Sequence, residues 1–168
     1  MFLSGRKIVA DGIVGVLDPS SEQPAGVDLT LDYVEEFGEP GLLGRAERRV
    51  PRGVRLKCPS GLCRLGPGAY RVRFREEVRV PSWAVGLCFP RSSLLRMGAQ
   101  LSCAVWDPGY RGRGAALLAV YNTQGIEIEL GARIAQLVIA RLEEAPASLY
   151  RGAYLGEGVT RAAQPRSL

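Results

Sequence analysis

The 168-residue chain contains no histidine. That removes Ser-His-Asp and Cys-His catalysis, histidine-ligated zinc and imidazole acid–base chemistry. Any general base must then be a carboxylate, a tyrosine, a lysine or a thiolate. Lysine is almost as scarce, since Lys7 and Lys57 stand against 20 arginines, and asparagine occurs once, as Asn122. Depletion of thermolabile residues fits adaptation to heat. No apolar run approaches the ~18 residues of a membrane span, and the opening MFLSGRKIVADG meets charge too early for a signal peptide. These features predict a soluble, cytoplasmic chain with no membrane contact. The four cysteines, Cys58, Cys63, Cys88 and Cys103, have no recognised zinc spacing. Cys58 and Cys63 flank Pro-Ser-Gly, where a bridge across a turn is possible, although a mesophilic cytosol would keep them reduced. No catalytic role is assigned to any of them.

What is present reads as an ordinary globular domain. Apolar residues make up 46% of the chain and charged residues 23%, enough apolar content for a real core. At this length folding hides roughly 70% of the extended chain's surface without staples. The expected organisation is one domain over residues 1–155 and a mobile tail from Gly156 to Leu168, which has little apolar content. The formal charge is +5. Forked arginine side chains suit phosphate oxygens, so an anionic ligand is consistent with it.

The 21 glycines and 11 prolines divide the chain into short runs. Residues 3–12 read as a helix with Ser4 as N-cap and Gly12 as stop. Residues 35–50 read as an exposed excursion. Tyr70-Arg-Val-Arg-Phe-Arg75 alternates with the period of two of a half-buried strand, and Ile126-Glu-Ile-Glu-Leu130 is its acidic counterpart. Pairing of those two polar faces would be favourable. Val27–Leu31, Val78–Phe89, Leu101–Val105, Ala115–Tyr121 and Ile134–Leu142 supply further apolar strands. Many short strands between turns predict an all-β fold, a sandwich or barrel.

Four segments could carry chemistry. In Pro90-Arg-Ser-Ser-Leu-Leu-Arg-Met-Gly98, Arg91 and Arg96 bracket two hydroxyls, and Ser92 or Ser93 can cap a short helix. Together these groups could cradle a phosphate. In Val105-Trp-Asp-Pro-Gly-Tyr-Arg-Gly112, Asp107 precedes a tight turn and is the obvious base for activating water in a chain without histidine. Tyr110 offers a flat face to a sugar. Gly131–Ile139 carries Arg133 and Gln136 on a buried strand. Tyr150–Gly156 places two aromatics and an arginine near the tail, which suits a closing lid. Each segment has an ordinary structural reading too: a capped surface helix, a plain turn, strand polarity, an anchored terminus.

Taken in this order, together with Leu3-Ser4 and Gly26-Val-Asp-Leu-Thr-Leu31, the segments resemble the dUTPase/dCTP deaminase superfamily, most of all archaeal-type dUTPases of the deaminase-like branch. The resemblance implies a distorted jelly-roll-like β-barrel with short helices, a homotrimer with sites between subunits, and a deoxynucleoside triphosphate carrying Mg²⁺ on its phosphates. By position Arg91, Ser92, Ser93 and Arg96 match the phosphate-binding segment. Asp107 matches the aspartate that contacts the sugar and positions water, Tyr110 the aromatic under the deoxyribose, and Gln136 and Tyr150 later nucleotide contacts. Deaminases of the family carry a glutamate in the strand after the Asp-Pro-Gly turn. Counting back from Asn122 puts Ala119 there, and counting forward from Asp107 puts Leu117 there. The expected activity is therefore hydrolysis of dUTP to dUMP and pyrophosphate, with Asp107 activating water. The rivals are a dCTP deaminase, alone or bifunctional, and a non-catalytic nucleotide-binding jelly roll. Nucleic-acid binding is not expected, because aromatics do not interleave with the arginines.

Overall fold

Six strands frame the molecule: β1 (Gly26–Phe37), β2 (Gly68–Phe74), β3 (Ala84–Pro90), β4 (Ala99–Ser102), β5 (Ala115–Val120) and β6 (Arg133–Arg141). They pair antiparallel in the order β4-β5-β2-β1-β6-β3. The computed structural model describes residues 1–159. The two ends of this sheet are joined through Trp106, just beyond β4, which exchanges backbone hydrogen bonds of 2.9 and 3.0 Å with Gly86 of β3. The sheet thus nearly closes on itself, as the expected barrel requires, and closure leaves few free strand edges. Among the described residues no helix is long and apolar enough to cross a membrane.

Alternation drives the packing. Tyr70, Val72 and Phe74 of β2 are buried, while Arg71 and Arg73 point to the other face. β1 and β6 add Val27, Leu29, Leu31, Leu137 and Ile139 to the same core, all without solvent contact. Helix α1 runs Gly5–Ala10, inside the expected 3–12, and Ser4 Oγ accepts from Lys7 N at its start. Gly12, at φ +66°, ends it in the left-handed region that a glycine enters without strain.

Several expectations need adjustment. The run Val78–Phe89 is two strands, Val78–Arg79 and β3. Pro81 has no N–H for a ladder, and its carbonyl accepts from Ala84 N in the turn that separates them. The run expected at Leu101–Val105 is strand only as far as Ser102, in β4. The excursion after β1 holds an exposed hairpin, Leu42–Leu43 with Arg48–Arg49, and returns as Gly53–Arg55 against Glu35–Phe37. Ile126–Glu129 does not face the arginine strand β2. It pairs with Leu62–Leu65, and Glu127 meets Arg64 at 2.8 Å. Cys58 and Cys63 are bridged across Pro59–Gly61, contrary to the reduced state expected of a mesophilic cytosol.

Candidate active site

The turn Asp107–Tyr110 is built by its sequence. Pro108 and Gly109 occupy the central positions, Gly109 sits at φ +84°, and Tyr110 N donates to Asp107 O at 3.0 Å. This is a type II turn, which needs a positive φ at its third residue. The turn is pinned by three backbone hydrogen bonds, two to Val80 and one to Tyr150. Gly109 N donates to Val80 O (3.0 Å), Val80 N to Tyr110 O (2.9 Å) and Tyr150 N to Pro108 O (2.8 Å). Asp107 is left exposed at its leading corner.

Behind the turn the aromatics interlock. Tyr110 meets Trp106 edge-on at 5.2 Å between centroids, and Tyr150 meets Tyr110 at 5.8 Å. Edge-to-face pairs of this kind are favourable aromatic packing. Two glycines make room for them. A Cβ on Gly114 would fall 2.4 Å from the Trp106 ring, and one on Gly112 would fall 2.7 Å from the Tyr110 hydroxyl oxygen.

In front of the turn lies a cavity of about 510 Å³, whose lining includes Asp107, Trp106, Tyr110, Tyr150, Tyr154 and Glu157. Its floor is the outward face of three neighbouring strands: Ser102 from β4, Ala115 and Leu117 from β5, Arg71 and Arg73 from β2. Such a volume suits a small organic ligand such as a nucleoside. Leu117 lines it and Ala119 does not, so Leu117 is the aliphatic residue facing the ligand space. Glu157 Oε2 accepts from Arg73 Nη1 at 2.6 Å, and Oε1 accepts from the Tyr110 hydroxyl at 3.0 Å. Burial and the adjacent Glu157 carboxylate push the Tyr110 hydroxyl's pKa up, so it stays a donor.

Of the residues singled out from the sequence, Asp107, Tyr110 and Tyr150 come together here. Arg91, Ser92, Ser93, Arg96 and Gln136 do not. Gly86, opposite Trp106, and Arg91, just past the end of β3, are five residues apart along an extended strand, about 16 Å. The arginine segment thus sits at the far end of β3 from the cavity. There Arg91 caps helix α2 (Ser92–Arg96) by position, without a side-chain cap bond. This corrects the expectation that Ser92 or Ser93 caps the helix. Both serines lie in its first turn, exposed. Arg91 donates instead to Asp28 Oδ2, which also has Arg133 Nη1 at 3.7 Å. Gln136 stands beside Asp28 in the β1–β6 register. Asp28 is wholly buried, and its Oδ1 has no hydrogen-bond partner.

Three charged residues of the cavity, Arg71, Arg73 and Glu157, were not expected as site residues. Arg71 and Arg73 read as a solvated strand face. The signal against that was Ala115–Val120, which is apolar on both faces and so needs both covered. Glu157 was placed in the tail, yet it is fastened to the barrel. The rest of the expected tail, residues 160–168, lies outside the described residues.

Comparison with known proteins accords with this architecture. A family model described as dCTP deaminase-like matches residues 3–142. The chain belongs to that family. It is 54% identical over 159 residues to a probable deoxyuridine 5'-triphosphate nucleotidohydrolase of Aeropyrum pernix, covering 95% of this chain and all of that one. A protein of the same description from Methanosarcina barkeri is 39% identical over 80% of this chain and 81% of its own. Among solved structures, a 2'-deoxycytidine 5'-triphosphate deaminase from Agrobacterium tumefaciens superposes with TM-score 0.62 at 21% identity, over 82% of this chain and 47% of that chain. That likeness speaks for the fold alone.

Proposed function

We propose that the protein is a dUTP diphosphatase that converts dUTP and water into dUMP and pyrophosphate. The observation that carries this reading is Asp107, an exposed carboxylate at the mouth of a nucleoside-sized cavity beside Tyr110, in a chain 54% identical to a relative named for that activity. Asp107 takes the proton of the water that attacks the α-phosphorus, and pyrophosphate leaves. Tyr110 packs against the deoxyribose, and Tyr150 backs it. Arg91 and Arg96, with the Ser92 and Ser93 hydroxyls, hold the phosphates and stabilise the charge that develops on them. Gln136 lies beside that group. Most of the rate enhancement comes from positioning and fixed charge.

The two groups of residues lie at opposite ends of β3 within one chain. A complete site therefore takes the phosphate segment from a neighbouring copy, which supports the homotrimer. Mg²⁺ belongs on the triphosphate. Among the described residues no cluster of three or more Asp, Glu, Cys or His side chains could hold it on the protein, and Asp28, wholly buried between Arg91 and Arg133, offers it no open position, so the phosphate oxygens would be its ligands. When bound, the ion would neutralise phosphate charge. Such an enzyme would act on the nucleotide pool of the cytoplasm.

The test is to incubate the protein with each dNTP and Mg²⁺ and resolve monophosphate, pyrophosphate and ammonia. Selective release of dUMP and pyrophosphate is expected. Asp107→Asn keeps the turn but cannot take the proton. It should lose well over tenfold in turnover, and a loss below ~1.4 kcal/mol of barrier would contradict the assignment.

A further inference from the structure

We propose that Glu157 is a positioning residue for this reaction: held by Arg73, it fixes the Tyr110 hydroxyl and so sets the ring that packs against the sugar. The inference rests on the reading of Tyr110 as the sugar contact.

The geometry is local and complete. Glu157 spends both carboxylate oxygens, one on Arg73 and one on Tyr110. Arg73 Nη1 also donates to Arg113 O at 2.8 Å. Arg113 N in turn donates to Glu157 O at 2.8 Å, and Gly156 N donates to Arg111 O at 2.7 Å. The segment around Glu157 is thereby stitched along the strand that leaves the Asp107–Tyr110 turn. Arg73 and Glu157 are mostly buried, with side-chain exposures of 17% and 21%, where a charge-assisted hydrogen bond gains from reduced screening.

The arrangement acts on Tyr110 through one atom. The ring touches Trp106 and Tyr150 only by its edges and faces, contacts that a tilting ring can trade. The hydroxyl has a fixed acceptor, and the missing Cβ of Gly112 leaves the slot it occupies. With Glu157 present the ring has one orientation. Without it the ring can tilt by small costs, and its fit against C2' of the sugar loosens. A hydroxyl at C2' is refused by close packing alone, so discrimination between dUTP and UTP reads the ring's placement directly.

The experiment measures kcat and KM for dUTP and UTP in the full-length protein with Mg²⁺. Glu157→Ala should lower the dUTP/UTP ratio of kcat/KM at least tenfold, mainly through the dUTP KM. Glu157→Gln, whose amide oxygen can still accept from the hydroxyl but whose amide nitrogen then meets Arg73 donor to donor, should restore only part of it. Tyr110→Phe should reproduce the Glu157→Ala effect, and the double variant should be no worse than either single one. Arg73→Lys, which keeps charge but not the fork, gives an intermediate loss and serves should Glu157→Ala fold poorly. The proposal is overturned if Tyr110→Ala collapses the ratio while Glu157→Ala and Tyr110→Phe leave it unchanged. If Tyr110→Ala also leaves the ratio unchanged while dUTP is still hydrolysed, the sugar assignment of Tyr110 fails first, and the proposal with it.

Discussion

Arg91 donates to the carboxylate of Asp28, a residue of β1 with no solvent exposure at all. A buried carboxylate is costly, and burial raises the Asp28 pKa in spite of Arg91 and Arg133 nearby. It aims a guanidinium at the start of helix α2, where the phosphates are proposed to bind. Asp28→Asn has the same shape and relieves the desolvation, but it no longer anchors Arg91 by charge. The dUTP KM should rise several-fold to tenfold, with deoxyuridine binding unchanged and the melting temperature little affected. Equal weakening of both ligands, measured by calorimetry, would return the Asp28–Arg91 pair to a purely structural role.

The separation of Asp107 from the Arg91–Arg96 segment makes a second prediction. Arg96 is exposed, and the only hydrogen bond of its side chain among the described residues is to Ser92 O at 3.3 Å, so its guanidinium is free to meet a phosphate. Arg96→Ala and Asp107→Asn should each be nearly inactive on dUTP. If each site joins the Asp107 of one subunit to the Arg96 of the next, mixing unfolded chains one to one and refolding them should recover about a quarter of wild-type activity, because a ring interface pairs different residues of adjacent copies. No recovery in trimers shown by light scattering to be mixed would place both residues in one subunit's site.

The strand framework was legible because alternation is a strong signal. Tyr70, Val72 and Phe74 on one side and Arg71 and Arg73 on the other can only be a half-buried strand. The turn at Asp107 was legible for the same kind of reason, since Pro108 and Gly109 dictate its geometry. What the sequence left hidden was tertiary. Periodicity shows that Arg71 and Arg73 face away from the core, but not that the C-terminal segment and the hairpin after β1 cover that face and turn it into a cavity floor. Polarity around Glu157 reads as a solvated tail. Its role depends on Arg73, 84 residues earlier, and no local pattern connects the two. Ile126–Glu129 shows the same limit, since charge complementarity was right in kind and the partner strand was different.

Acid should loosen the turn through Glu77. Its carboxylate accepts from Arg79 Nε (2.9 Å) and Arg111 Nε (2.6 Å), which flank the Asp107 turn. These hydrogen bonds hold its pKa below the usual 4.5. A depressed carboxylate contributes stability that is present above the unfolded value and lost as pH falls through the folded one. Both arginines are more than half exposed, so at neutral pH Glu77→Gln should cost no more than about 1 kcal/mol. Melting temperatures of wild type and Glu77→Gln should converge as the pH falls well below 4.5, through the depressed pKa of Glu77. Parallel curves over that range would show that the ion pairs contribute nothing.

The protein should release no ammonia from dCTP. Deamination adds water to C4 of the ring and moves protons to the ring nitrogen and the departing amine, which calls for a carboxyl group within hydrogen-bond reach of the base. On β5 the cavity receives Ala115 and Leu117, both aliphatic. Across the sheet from them stand Arg73 and Arg71, which are cations and cannot accept a proton. Asp107 is proposed to serve the sugar and phosphate end. The remaining carboxylate on the cavity wall is Glu157, and both of its oxygens are committed to Arg73 and Tyr110. Leu117→Glu tests the argument from the other direction. Placed opposite Arg71, the new carboxylate would form an ion pair instead of a free base, so it should lower dUTP turnover without creating deamination. Ammonia above the buffer blank from the wild-type protein would overturn the hydrolase-only reading, and its loss in Glu157→Gln would identify the group responsible.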